Sequence, residues 1–273
     1  MAAILEPCGM IPEGRDRWSA DEWIRRRYGR WTWIIRSSAA GPSLDPILED
    51  PDRALAARAD ILKMNDSIAV ARVAGYVAKR WISHGVGGYL KDRLRGTRAE
   101  RTAIRALQLM EAGIPTAEPV AWGAACGWRA GSGSCLIMER LPGVTDLGQW
   151  KGDRLPVVGR FGRLIGDLHG HGFTHRDLKP TNLLVGSDGS PYLIDLDGLR
   201  RSGSVSRDRA VADLVKLARR MVGLSTLSPR EAAEFVTHYA SARGGVSRRT
   251  WWTILKAEAC LHKEFSLPSR GKQ

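Results

Sequence analysis

Apolar and polar positions alternate from about residue 58 to residue 83. RADILKM, SIAVARVAG and YVAKRWIS read as three strands, joined by turns at Asn65-Asp66-Ser67 and at Gly75. A helical period follows at about 97–111, with Glu100, Ala103, Ile104 and Leu107 on one face. Gly113 closes that helix and Pro115 prevents it restarting. PVAWGAACGW and SCLIMERL form a strand pair across the loop RAGSGS, and Pro142-Gly143 ends the β-rich region. Beyond it the period is mainly helical. LPVVGRFGRLIGDLHGHG predicts a helix ending near Gly170–Gly172, with further helices at about 208–222, 229–242 and 248–263. The exception is local: NLLVG and PYLIDLD flank Ser187-Asp188-Gly189-Ser190, which is a hairpin signature.

Residues 1–57 have another texture. Trp18, Trp23, Trp31 and Trp33 stand among Arg15, Arg17, Arg25, Arg26, Arg27, Arg30 and Arg36. Ser19-Ala20-Asp21-Glu22 reads as a capping box opening a short helix that Gly29 stops. Trp31, Trp33 and Ile35 alternate as in a strand, and GPSLDPILEDPD (41–52) reads as a linker. The expected organisation is a Trp/Arg-rich extension (1–57), a β-rich lobe (58–141) and a mainly helical lobe (142–273), an α+β chain.

Composition sharpens the picture. The chain has 273 residues, 43% of them apolar and 26% charged, as in an ordinary globular protein. No uncharged apolar run is long enough for a bilayer span, and the first residues lack the pattern of a secretory signal. Four scattered cysteines (Cys8, Cys126, Cys135, Cys260) make no CxxC pair, which disfavours a zinc ribbon or a disulfide scaffold and points to a reducing cytoplasm. The formal charge of +13 favours an anionic partner: nucleic acid, an acidic membrane or a phosphorylated substrate. No zinc finger, basic zipper or RNA-recognition aromatic motif accompanies the charge, so nucleic acid is not expected.

The chemistry concentrates in HGFTHRDLKPTNLLVGSDGSPYLIDLDG (171–198). Asp177, Lys179, Asn182 and, after the hairpin, Asp195 form the set that phosphoryl transfer requires. A carboxylate orients the attacking hydroxyl, a cation offsets charge on the γ-phosphoryl group, and an amide and a second carboxylate offer hard oxygens to Mg²⁺.

HRDLKPTN resembles the catalytic loop of the protein-kinase superfamily, and IDLDG stands where that superfamily has Asp-Phe-Gly, with Leu196 for Phe and Asp197 for Gly. The resemblance implies a two-lobed protein-kinase-like fold and the cofactors ATP and Mg²⁺. It makes Asp177 the catalytic base, Lys179 the phosphate-stabilising cation, and Asn182 and Asp195 the Mg²⁺ ligands. Val77-Ala78-Lys79 is similar to the kinase V-A-I-K strand, so Lys79 would meet the α/β-phosphates and pair with Glu100, Glu111 being the alternative. LIMERL (136–141) stands at the hinge strand, where backbone groups of Glu139 and Leu141 would bond the adenine edge. His175 would bond backbone near the metal motif. No G-x-G-x-x-G precedes Lys79 and no A-P-E follows IDLDG.

EAGIPTAEPVAWG (111–123), LIMERLPG, HRDLKPTNLLV and IDLDG together resemble the bacterial lipopolysaccharide core kinases, the Kdo/WaaP-like family. That resemblance implies transfer of the ATP γ-phosphate to a sugar hydroxyl of a glycolipid acceptor at the cytoplasmic face of the inner membrane. Residues 15–36 are then the candidate contact with an anionic membrane; otherwise this segment packs its Trp side chains inward and leaves Arg solvated. A compact serine/threonine protein kinase and an inactive kinase-like binding module are the alternative functions.

Overall fold

The computed structural model describes residues 22–58, 60–82, 92, 94–126, 133–223, 228–245 and 247–253, which fall into two compact units. One runs to Gln108 and resumes over Ala117–Arg140; the other comprises Leu109–Thr116 and the chain from Leu141 onward.

The first unit is a seven-stranded antiparallel sheet. Its strands are β1 (Trp23–Tyr28), β2 (Trp31–Arg36), β3 (Asp60–Asn65), β4 (Ile68–Val73), β5 (Tyr76–Ile82), β6 (Pro119–Ala125) and β7 (Gly133–Glu139), in the order β1-β2-β6-β7-β5-β4-β3. The β3–β4 turn follows its sequence: the Asn65 side chain accepts from the backbone N–H of Ser67 (3.0 Å) and Ile68 (2.9 Å).

Side-chain alternation divides the core in two. Trp31, Trp33, Ile35, Ala78, Cys135 and Ile137 pack on one face with Leu44, Ile47, Leu48 and Leu55 from α1 (Asp45–Glu49) and α2 (Pro51–Arg58). Trp81, Trp122 and Leu136 pack on the other with Ala99 and Ala103 of α3 (Arg98–Glu111).

Four expectations are corrected here. The segment around Glu22–Tyr28 is a strand, not a helix: Trp23 to Tyr28 pair with Arg36 to Trp31 in strict register, and Gly29 supplies the left-handed turn residue (φ 54°). The expected linker 41–52 contains α1 and the start of α2, because Pro46 and Pro51 occupy first-turn positions, where a missing N–H costs nothing. Residues 22–57 are therefore part of the sheet and its helical cover rather than an appendage. The buried face of α3 is Ala99, Thr102, Ala103, Ala106 and Leu109, rotated from the expected one. Trp18, Cys8, Cys260, the expected loop at 129–132 and the part of the expected last helix beyond 253 lie outside the described residues.

The second unit is built on α4 (Arg154–Gly170), α5 (Arg207–Gly223) and α6 (Pro229–Arg243), with short strands β8 (Thr145–Asp146), β9 (Phe173–His175), β10 (Leu183–Val185), β11 (Pro191–Leu193) and β12 (Leu199–Arg201). β10 pairs with β11 and β8, and β12 pairs with β9. Helices α4 and α6 touch through backbone. A Cβ on Gly162 would lie 2.3 Å from the Phe235 carbonyl oxygen, and one on Gly166 2.7 Å from that of Tyr239. Asp153 caps α4 through the Leu155 N–H, and Ser228 with Glu231 forms a reciprocal capping box on α6.

Candidate active site

The residues of the HRDLKPTN loop are held by pairing that starts at the end of α4. Gly172 takes a left-handed conformation (φ 81°), and a Cβ there would lie 2.1 Å from the Ser202 carbonyl oxygen, so the chain turns in a space that admits no side chain. β9 then pairs with β12, setting His175 opposite Leu199. This registers the HRDLKPTN loop on the IDLDG segment: the Arg176 N–H donates to the Gly198 carbonyl (3.1 Å), and the Ile194 N–H to the Asn182 carbonyl (2.9 Å). Asp195 itself is left-handed (φ 58°, ψ 58°), a conformation Asp tolerates better than most residues, and it leads into the tight turn Leu196–Gly198.

Asp177, Lys179, Asn182 and Asp195 all belong to this unit. The Asp177 carboxylate accepts from Lys179 Nζ (2.7 Å) and from Arg220 Nη1 (2.7 Å), one cation on each oxygen. The hydrogen bond from Lys179, and then that from Arg220, hold the Asp177 carboxyl below its ordinary range against the opposing effect of partial burial. Asn182 is buried, and its Nδ2 donates to the Asp177 backbone carbonyl (2.9 Å). With the NH₂ so committed, the amide oxygen is the atom Asn182 has to offer a cation. Among the described residues no group of three His, Cys, Asp or Glu side chains is placed to hold a metal. Asn182 and Asp195 nevertheless fit Mg²⁺: two hard oxygen donors are what this ion takes from protein when phosphate and water supply the rest.

His175 is fully buried, and its Nε2 lies 3.0 Å from the Asp195 carbonyl oxygen, as the sequence led us to expect. Burial pushes its pKa down, which keeps the ring neutral and donating to that carbonyl. Its backbone N–H donates to Asp213 Oδ2 (3.1 Å), and Asp213 is completely buried in α5. Asp213 and Arg220 escaped the sequence reading. Both arrive from a helix some forty residues downstream, where Asp213 and Arg220 stand seven positions apart among other charged residues such as Arg209 and Lys216, so their spacing carried no distinct signal.

In the first unit, Lys79 lies on β5 between Val70 of β4 and Leu136 of β7, nearly buried, with Nζ 5.0 Å from the centre of the Trp81 ring. Glu100 is on the first turn of α3 and closes its N-terminus reciprocally with Thr97: the Thr97 N–H donates to Oε2 and the Glu100 N–H to Thr97 Oγ1, each at 3.2 Å. The T-x-x-E pattern at 97–100 was the readable signal for this cap. The Glu139 N–H donates to the Glu118 carbonyl (2.9 Å) and is thereby committed; Leu141 begins the second unit. Arg36 of β2 bonds both Glu118 and Glu139, tying the N-terminal hairpin to the end of β7. Cys126 and Cys135 are free thiols, and burial raises the Cys135 pKa to about 12.

A sheet with α3 on one face, a helical unit and a loop–hairpin carrying Asp177, Asn182 and Asp195 define an α+β, protein-kinase-like fold. A solved structure of WaaP in complex with acyl carrier protein has this fold, with a TM-score of 0.57 at 22% identity, covering 85% of this chain and 99% of that one. The family model of the lipopolysaccharide kinases (Kdo/WaaP) matches residues 70–239, more than half of the chain, and the chain belongs to that family. A 3-deoxy-D-manno-octulosonic acid kinase of Xanthomonas campestris pv. campestris (strain B100) is 36% identical over 117 residues, 39% of this chain and 44% of that protein. A kinase of the same name from Xylella fastidiosa (strain 9a5c) is 33% identical over 115 residues, 40% of this chain and 45% of that protein. The chain thus spans less than half the length of the curated relatives it matches.

Proposed function

We propose that this protein is an ATP- and Mg²⁺-dependent kinase that transfers the γ-phosphate to a hydroxyl of a lipopolysaccharide core sugar or a related glycolipid. The observation that carries the reading is the Asp177 carboxylate, fixed by Lys179 at 2.7 Å and backed by the Asn182 amide, with Asp195 on the adjoining turn. Asp177 orients the acceptor hydroxyl and accepts its proton; held by cations it is a weak base, so it takes the proton late, as the new O–P bond forms. Lys179, now on Asp177, would offset the charge that develops on the γ-phosphoryl oxygens. Asn182 and Asp195 would hold Mg²⁺, which supplies neutralisation of the β- and γ-phosphate oxygens. Lys79 would bind the α/β-phosphates and Glu100 would keep its ammonium oriented, while backbone groups of Glu139 and Leu141 would meet adenine.

The acceptor's setting follows from family and charge. The names of the curated relatives point to a sugar acid, and a net charge of +13 suits an acceptor carried by an anionic membrane at its cytoplasmic face. Exposed Arg25, Arg26 and Arg27 on β1 are the proposed peripheral contact. Among the described residues no helix is long and apolar enough to cross a membrane.

Radiolabelled ATP offered with core glycolipid, small sugars and a generic protein side by side tests the proposal. Label on glycolipid or sugar, abolished in Asp177→Asn, is the expected result. Label on protein alone would replace the acceptor class, and no transfer by the wild type would leave a binding module.

A further inference from the structure

We infer that Arg220 is the residue that recognises the acceptor, by binding a carboxylate carried by the sugar whose hydroxyl is phosphorylated. This rests on the proposed sugar-kinase activity and goes beyond it by assigning a specificity-determining side chain and the group it reads.

The starting point is an imbalance at Asp177. Its two oxygens each carry a cation, Lys179 on Oδ2 and Arg220 on Oδ1, both at 2.7 Å. The acceptor O–H must reach one of these oxygens, so one cation has to give way when substrate arrives. Lys179 has a destination in the γ-phosphoryl group. Arg220 has none in the transfer step itself, in which the acceptor oxygen attacks phosphorus, the β,γ-bridging P–O bond breaks, ADP leaves with its electron pair and the proton passes to Asp177. A second positive charge with no role in that balance calls for an anion on the acceptor.

The position of Arg220 is set by its helix. Asp213 is completely buried and grips the His175 N–H at 3.1 Å, which fixes α5 against the catalytic loop. Seven residues on, two helical turns along the same face, comes Arg220. Its backbone is therefore fixed while its side chain, at the last turn, is 47% exposed and can swing from Asp177 to an incoming ligand. A guanidinium carries two parallel N–H groups that match a carboxylate, and it keeps its charge at any pH the protein survives. In the resting protein Asp177 Oδ1 holds one nitrogen of that fork, Nη1, so an acceptor carboxylate that engages both nitrogens replaces a single bond by a pair and uncovers Oδ1 for the hydroxyl in the same movement. The order of events is thereby coupled: an alcohol without the acid leaves Arg220 on Asp177 and the oxygen covered.

The test compares 3-deoxy-D-manno-octulosonic acid with its methyl ester as acceptors for wild type, Arg220→Gln and Arg220→Lys. Wild type should favour the acid in kcat/KM by about tenfold or more, the scale of a charge-assisted hydrogen-bond pair. Arg220→Gln should bring the two acceptors within about twofold, chiefly by raising KM for the acid, with KM for ATP unchanged; Arg220→Lys should restore part of the preference. A merely structural Arg220 would change both acceptors alike. If Arg220→Gln, or Arg220→Lys should the first not fold, keeps the full acid-to-ester ratio, the inference falls while the kinase reading stands. If the wild type uses core glycolipid or sugar without distinguishing acid from ester, the inference falls as well. If the wild type phosphorylates neither, both fall.

Discussion

Asp177 is charged, partly buried and held on both sides, and that combination separates two properties usually tested together. Asp177→Asn keeps the shape and the Asn182 contact to its backbone carbonyl but removes the charge. Phosphoryl transfer should fall by ~10²–10⁴-fold in single-turnover assays, with KM for ATP within a few-fold of wild type. His175 gives a second prediction. Its N–H holds Asp213 and its ring holds the Asp195 carbonyl, so His175→Ala leaves a buried cavity and an unsatisfied carbonyl. The expected cost is about 2–4 kcal/mol in denaturant unfolding. At this scale the sequence was most legible where contacts are local: Asp177, Lys179 and Asn182 lie within six residues, and the structure brings them together as that spacing suggests. Arg220 and Asp213 were illegible because their partners are fixed by how α5 packs, which no local spacing encodes.

Helices α4 and α6 come into close backbone contact at Gly162 and Gly166. A methyl at position 162 has backbone oxygen at 2.3 Å and no flexible neighbour to displace, so Gly162→Ala should destabilise the protein by ~1–3 kcal/mol, read as a lowered Tm. The cap of α6 makes a pH prediction. Burial works against the Glu231 carboxylate, but the Ser228 cap and Arg154 (2.8 Å) overcome it and hold the pKa below its ordinary 4.5. A depressed carboxylate stabilises the fold fully above its unfolded pKa and loses that contribution as pH falls through the lower folded value. Glu231→Gln should therefore lower Tm at pH 7 and flatten its decline between about pH 5 and 3. Element types were readable wherever the period was long, as in α4, α5 and α6. They were misread at Trp23–Tyr28, where six residues rich in Arg and Trp carry no clear period and become a strand because β2 offers its edge. Proline likewise disguised α1 and α2, since a residue that ends helices also begins them.

The first unit cannot be divided at residue 57. Trp33 is completely buried, its indole N–H donates to the Leu48 carbonyl (2.9 Å), and Gly123 leaves room for its ring, where a Cβ would come within 2.5 Å. Trp33→Ala should cost ~3–5 kcal/mol, a loss no appendage would produce. For the same reason removal of residues 1–40 is a poor test of membrane contact, since it takes Trp31, Trp33 and Ile35 out of the core. Replacing Arg25, Arg26 and Arg27 together by Gln leaves that core intact; it should weaken binding to anionic vesicles and reduce its salt dependence while Tm stays within about 2 °C. The two-part division of α+β character was visible in the change of period along the chain, whereas the inclusion of the hairpin was not, because a sheet's outer strands are recruited by pairing rather than by their own pattern. That recruitment leaves the sheet with two unlike borders. At β1 three consecutive exposed arginines repel a second copy of the chain; at β3 Ile61, Leu62 and Met64 are about half exposed along an edge that no other described strand pairs, with Lys63 the one cation among them. Self-association at high protein concentration should therefore begin at β3, one border being charge-protected and the other not, and Leu62→Lys should raise the solubility limit with no change in the site.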